Sequence, residues 1–345
     1  MKFSEWIQGK KDCKVGFIGG SITEGAGSST RTKRYSSQLV TLLQEQYPDV
    51  AFFEINAGIG GTGSNLGLFR AERDLISKEP DIVFVEFSVN DSDTYTERYM
   101  ESLVRYMRRY RAELPIVFVY TLNKPIYADY YAKGILGPVA ALQEKIAKHY
   151  GIPSVPAAIP LCRAIGSEEH YGEYLTDNVH PNDKGHKIYA DAIMDVLADA
   201  AFSFPSPTPL NAIVSEKPTM VTAEDDTLSF AEFPKSYNSF YGRFSTYFYA
   251  YKPGASLTFA FDGKAIGIYH TIEKDSGDFE FSIDGGAWEK RSTWDIYALQ
   301  FNRVNYSILK DDLEEGHHVL RLRVLEEKAE KSEGTYIRIG AFLIG

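Results

Sequence analysis

The chain has 345 residues, long enough for two domains that each bury a core of their own. Its 37 basic and 47 acidic residues leave a formal charge of −10, which repels polyanions, excludes nucleic acid as the expected partner and suits a neutral or cationic small substrate. Cys13 and Cys162 show no metal-ligand spacing, so no disulfide framework or zinc site is expected, and both read as buried free thiols.

The amino terminus sets Glu5, Lys10, Lys11 and Asp12 among a few apolar residues and lacks the long apolar core of a signal peptide. No later run reaches transmembrane length. These features predict a soluble, cytoplasmic protein with no membrane partner, or a secreted one if a leader has been removed. Short β-branched runs then alternate with longer amphipathic stretches. Strands are predicted at 14–18, 51–56, 82–87, 116–120 and near 154–155, and helices at 35–47, 65–77, 97–114, 136–150 and from 182 or 183 to 201. That alternation is the mark of a parallel sheet wrapped by helices, an α/β domain at 1–201.

Residues with chemical potential fall just after the strands. Gly19, Gly20 and Ser21 follow the first, Gly61 closes a Gly-Ile-Gly-Gly turn after the second, and Asn90 lies in Val-Asn-Asp after the third. Ligands of open α/β sheets bind beyond the carboxyl ends of the strands, so these segments should converge at one sheet edge. Further on, Asp177-Asn-Val-His180-Pro places a carboxylate and an imidazole on one loop ahead of a helix. Each piece alone has a plainer reading as a tight turn, a phosphate cradle or a helix cap. Together they supply acyl transfer with what it needs. Ser21 is the nucleophile, His180 the base that takes its proton, and Asp177 the group that orients the imidazole. The backbone N–H groups of Ser21 and Gly61 and the Asn90 side-chain amide serve as oxyanion donors. His149, His170, His186, His317 and His318 read as residues of solvated faces or turns and His270 as a strand end, without metal-site spacing.

In order and context, Ser21, Gly61, Asn90 and His180 resemble the four blocks of the SGNH (GDSL-type) hydrolases. The resemblance covers about 14–200 and implies a flavodoxin-like three-layer α/β/α fold and ester hydrolysis without a metal or cofactor. Gly20 and Ile22 replace the Asp and Leu of the Gly-Asp-Ser-Leu form. Gly-Gly-Ser-Ile-Thr variants resemble the carbohydrate-esterase branch.

Residues 202–210, Phe-Ser-Phe-Pro-Ser-Pro-Thr-Pro-Leu, cannot continue a helix and read as a Pro-rich linker. Beyond them, at 211–345, alternating segments at 256–261, 265–270, 278–283, 318–324 and 336–342 are separated by Pro-Gly, Asp-Gly and Gly-Gly turns. An all-β, jelly-roll-like antiparallel sandwich is expected. Trp288, Trp294 and Tyr297 lie within 287–301. Rings of this kind stack on the apolar faces of sugars when exposed, or fill a core when buried. The sandwich resembles galactose-binding-like carbohydrate modules. An SGNH domain followed by such a module resembles carbohydrate esterase family 17, which implies removal of O-acetyl groups from acetylated mannan or related oligosaccharides. Two alternatives stay open: a lipase, thioesterase or phospholipid acetylhydrolase, and a carbohydrate-binding protein with an inactive hydrolase core. The sequence indicates no oligomeric state.

Overall fold

The structure, a computed structural model, describes residues 1–126 and 129–345. Met1–Glu216 and Lys217–Gly345 form separate compact units. In chain order the first comprises α1 (Phe3–Ile7), β1 (Asp12–Gly19), α2 (Ser21–Glu24), α3 (Tyr35–Gln46), β2 (Ala51–Gly58), α4 (Ser64–Asp74), β3 (Ile82–Glu86) and α5 (Thr96–Tyr110). It continues with β4 (Ile116–Val119), α6 (Pro138–His149), β5 (Ser154–Val155), α7 (Ala158–Ile165) and α8 (Asp183–Asp199).

The strands form a parallel sheet in the order β2-β1-β3-β4-β5. β3 and β4 are buried on both faces, and accordingly read as unbroken apolar runs apart from Glu86. The pleat sends Val15, Phe17 and Phe84 toward Leu39, Leu43 and Ile193 of α3 and α8. Gly16, pointing the other way, is so close to Leu75, just past α4, that a Cβ would sit 2.7 Å from Leu75 Cδ1. The sheet therefore carries a helical layer on each face, with α1, α3, α7 and α8 packed together in one and α4, α5 and α6 in the other. Cys13 and Cys162 are buried free thiols, and burial pushes both up to about 12.

The Pro-rich stretch lies within the first unit rather than spanning free between units. Buried Glu101 on α5 accepts hydrogen bonds from the backbone N–H of Leu210 (2.7 Å) and Asn211 (2.8 Å), and Ser102 accepts from Val214 N–H (2.8 Å). A buried carboxylate without such donors is costly, and this segment supplies them. Phe202 also joins the core beside Phe3 and Trp6.

The second unit begins with β6 (Thr219–Thr222), β7 (Lys235–Ser236), β8 (Tyr247–Ala250), β9 (Ser256–Gly263) and β10 (Ile266–Ile272). It ends with β11 (Asp278–Ile283), β12 (Glu289–Ser292), β13 (Arg303–Lys310), β14 (Gly316–Val324) and β15 (Ile337–Ile344). One antiparallel sheet runs β13-β10-β15-β8-β7 with β6 also on β15, and the other runs β12-β11-β14-β9. β9 alternates strictly, burying Leu257, Phe259 and Phe261, and the Phe259 ring stacks on Phe342 of the other sheet at 4.0 Å. Among the described residues no helix is long and apolar enough to cross a membrane.

Candidate active site

Ser21 opens the single-turn helix α2 directly after the end of β1. Its N–H, like those of any first helical turn, has no intrahelical acceptor. The turn fits only because its glycines bring backbones close. A Cβ on Gly19 would lie 2.1 Å from Thr23 Oγ1 and 2.5 Å from Glu86 O, and one on Gly20 would lie 2.0 Å from Asn90 Oδ1. Gly20 is thus where the Ser21 turn meets the Asn90 amide, so the ends of β1 and β3 deliver two of the predicted residues to one spot.

Gly61 lies on the loop between β2 and α4 with φ +71°. Among the described residues, nothing beyond its own chain neighbours comes within 4 Å of a Cβ built there, so the left-handed backbone rather than crowding selects glycine. The loop is braced on both sides. Gly60 N–H donates to Glu24 Oε2 at 2.8 Å, and Ser64 N–H donates to Asp91 Oδ1 at 2.7 Å. Gln143 Nε2 donates to the other oxygen of Asp91 at 2.9 Å. Buried Arg70 on α4 reaches back to the carbonyls of Gly19 (2.9 Å) and Ala57 (2.5 Å), tying the ends of β1 and β2.

The Asp177–His180 loop forms the remaining wall. Asp177 Oδ1 accepts from the backbone N–H of Val179 (2.8 Å) and His180 (2.9 Å), while Oδ2 meets His180 Nδ1 at 2.6 Å. His180 Nε2 lies 2.8 Å from Ser21 Oγ. A proton on Nδ1 shared with the carboxylate leaves Nε2 free to accept from the serine, the tautomer a general base requires. Partial burial pushes the Asp177 carboxyl up, but the hydrogen bonds from His180 and Val179 outweigh it and hold it below the usual carboxylate range.

Two contacts staple this loop to the segment that follows the Ser21 turn. Asp183, at the start of α8, accepts from Ser29 N–H (2.7 Å) and Ser29 Oγ (2.6 Å). Gly27, with φ +87°, lies so near Pro181 that a Cβ would be 2.2 Å from its carbonyl oxygen. Thr23, Glu24, Gly27, Asp91, Arg70 and Asp183 therefore shape the site although sequence reasoning assigned them no part in the chemistry. For two of them a signal was present: Asp91 follows Asn90 directly, and Glu24 is three residues past Ser21. His186 corrects an expectation. It is fully buried rather than on a solvated face, stacks on Tyr35 and has both ring nitrogens bonded.

In the β-sandwich unit, Trp288 is 40% exposed beneath Arg323 and Tyr297 is 55% exposed beside Arg303. Trp294 is half-buried, and its Nε1 is a buried atom without a partner. No ring contact among the described residues joins the three.

Residues 17–188 match the GDSL-like lipase/acylhydrolase family. An acetylxylan esterase of Geobacillus stearothermophilus is 27% identical over 201 residues, which span 52% of this chain and 92% of that protein. An acetylxylan esterase of Xylanibacter ruminicola is 26% identical over 212 residues, 52% of this chain and 42% of that one. Among solved structures, a two-domain esterase active on acetylated mannans and co-crystallised with mannopentaose is similar over 99% of this chain and 92% of its own, at 25% identity and a TM-score of 0.85.

Proposed function

Since the chain belongs to the GDSL-like lipase/acylhydrolase family through residues 17–188, we propose that it is a serine esterase that removes O-acetyl groups from sugar hydroxyls through an acetyl-Ser21 intermediate. The observation that carries this reading is the hydrogen-bond chain from Ser21 Oγ through His180 to Asp177. Ser21 Oγ attacks the acetyl carbonyl as His180 Nε2 takes its proton, and Asp177 stabilises the resulting imidazolium. The N–H groups of Ser21 and Gly61 and the Asn90 amide receive the oxyanion, each donor worth about 3 kcal/mol in sites of this type. His180 then protonates the departing sugar oxygen, and afterwards activates the water that releases acetate.

The sugar side of the proposal is supported by the acetylxylan esterase relatives and by the acetylated-mannan esterase that matches along both units. An acidic protein suits an uncharged glycan better than a polyanion. Mannan is the favoured polymer, with the exposed rings of Trp288 and Tyr297 and the adjacent Trp294 as sugar contacts on a carbohydrate-binding sandwich. The test has two arms. Ser21→Ala should lose about four orders of magnitude or more of turnover on an aryl acetate while keeping its fold, and near-normal turnover overturns the mechanism. Acetate release should be greater from acetylated mannan than from acetylated xylan or from esters of longer acyl chains, and the reverse preference overturns the substrate.

A further inference from the structure

The turn that carries Ser21 rests, through Thr23, on a buried polar group that the reaction itself does not use. Glu86 ends the apolar run of the central strand β3 and is fully buried. Two hydroxyls donate to it, Thr23 Oγ1 to Oε2 at 3.1 Å and Thr121 Oγ1 to Oε1 at 2.7 Å, and the Gly20 backbone N–H beside Ser21 also bonds to the carboxyl. No cation faces it. Thr23 belongs to the same helical turn as Ser21, and its Oγ1 also meets the Tyr35 hydroxyl at 2.9 Å.

Tyr35 extends the arrangement toward the histidine loop. Its backbone N–H donates to His186 Nδ1 at 3.2 Å, which leaves the ring proton on Nε2, and Nε2 donates to Ala26 O at 3.1 Å. The ring of Tyr35 stacks on that imidazole at 6.3 Å and 15°. Ala26 N–H in turn donates to Ser21 O at 2.9 Å, closing the loop on the nucleophile residue itself. His186 lies on α8, which begins three residues after His180.

We infer that Glu86, Thr23, Tyr35 and His186 are positioning residues: a buried frame of hydroxyl, carboxyl and imidazole that holds the Ser21 turn in register with the helix behind His180. The inference rests on the esterase reading above. Its physical basis is that a four-residue helix has almost no stability of its own, so the aim of Ser21 Oγ must come from what the turn is fastened to. The Thr23 side chain fastens it to both β3 and α3. A misplacement of an ångström at the reacting atom is enough to cost up to about a hundredfold in rate. The direction of the burial effects agrees, since burial raises the Glu86 carboxyl to about 7 and lowers the His186 imidazole to about 4, both toward the neutral form.

The experiment uses the full chain and a fluorophosphonate probe that reacts with an activated serine, followed by mass spectrometry at Ser21 and by kcat and KM on an aryl acetate. Thr23→Val removes the hydroxyl at nearly constant shape. It should lower both the labelling rate and kcat by about tenfold to about a hundredfold, with KM little changed. Thr23→Ser, which restores the hydroxyl, should recover most of that loss, a result that general loosening of the fold does not produce. Tyr35→Phe removes only the phenol oxygen and should show the same split, providing a second reading if Thr23→Val fails to fold. Wild-type protein that is labelled at Ser21, with Thr23→Val and Tyr35→Phe labelled equally fast, overturns the frame alone. Wild-type protein that takes no label at Ser21 overturns the esterase reading and the frame with it.

Discussion

Replacing Glu86 by glutamine should alter how the stability of the N-terminal unit depends on pH. Burial raises this carboxyl from 4.5 to about 7. An unfolded Glu86 loses its proton near the ordinary value, whereas the folded one keeps it to about 7. Its favourable contribution is therefore complete below pH 4.5, declines as the pH climbs through that interval, and levels off above about 7. The interval from 4.5 to about 7 corresponds to about 3 kcal/mol. Glutamine keeps the shape and one acceptor oxygen, sets a donating NH2 in place of the other and does not titrate. The altered hydrogen bond shifts stability by a pH-independent amount, so the stability of wild type minus variant should still fall by about 3 kcal/mol between about pH 4.5 and about pH 7.5. Asp91, raised by burial to about 7, adds a slope of the same sign, and His186, lowered by burial to about 4, adds stability above its ordinary value that is lost on acidification. His186 is present in both proteins and cancels in the difference, and Asp91 cancels apart from its charge coupling to Glu86, which is part of the Glu86 effect being read. The assay is urea unfolding followed by Trp6 fluorescence. The three tryptophans are Trp6, Trp288 and Trp294, so Trp288→Phe and Trp294→Phe leave an indole packed beside Phe3 and Phe202 as the reporter of the first unit. Stability curves of wild type and Glu86→Gln that run parallel across the range would refute the reasoning, because they require an ionised Glu86 in the folded protein throughout.

Asp177→Asn should retain the acceptor for the Val179 and His180 N–H groups, and so keep the loop, yet lose about 10³- to 10⁴-fold in kcat on an aryl acetate. A loss under tenfold would remove Asp177 from the mechanism. Gly19→Ala and Gly61→Ala should separate crowding from backbone strain. The first drives a methyl to within 2.1 Å of Thr23 Oγ1 and 2.5 Å of Glu86 O and should cost about 3 kcal/mol of stability, whereas the second meets no atom and should cost about 1 kcal/mol for its φ of +71°. Equal melting temperatures for the two variants would contradict this. Trp288→Ala and Tyr297→Ala should raise KM on acetylated mannan while leaving aryl acetate turnover within twofold, and unchanged KM on the polymer would exclude these rings as sugar contacts.

What the sequence disclosed, and what it hid, follows from how each element meets solvent. The strands predicted at 14–18, 82–87 and 116–120 fall on β1, β3 and β4 because central parallel strands are buried on both faces and show as largely apolar runs, whereas the one at 51–56 falls on β2, an edge strand that buries only part of its length. In the sandwich the five predicted segments fall on β9, β10, β11, β14 and β15, whereas the short β6, β7 and β8 gave no signal, and neither did β12 and β13. The last two are outer strands of their sheets. β12 reads Glu-Lys-Arg-Ser and has no apolar residue to mark a buried face, whereas β13 does alternate, as Arg-Val-Asn-Tyr-Ser-Ile, but is half-buried along nearly its whole length. Charged edges protect a sheet from pairing with another chain, and the same charges conceal the strand from pattern reading. The helix predicted at 97–114 ends in the structure at Tyr110, where the chain turns toward Pro115 and β4; apolar spacing continues past the point at which the backbone leaves the helix.

The site divides along a similar line. Ser21, Gly61, Asn90, Asp177 and His180 were legible because strand ends and a His-Pro helix start are places where polar residues stand out against apolar neighbours. The residues that fasten them were not, since Thr23, Arg70, Asp91 and His186 are distinguished only by burial, and burial of a polar residue is a tertiary fact. Glu86 is the intermediate case. A carboxylate closing Ile-Val-Phe-Val on a strand flanked by strands on both sides has no route to solvent along the pleat. In such a position it must find hydrogen-bond donors, titrate to its neutral form, or be replaced by an apolar residue. Threonine hydroxyls from α2 and from the residue just beyond β4 provide the first, and the raised pKa reflects the second. A polar residue at the carboxyl end of an otherwise apolar central strand is thus a readable sign of a buried polar partner behind the site, even where the partner itself leaves no trace in the pattern.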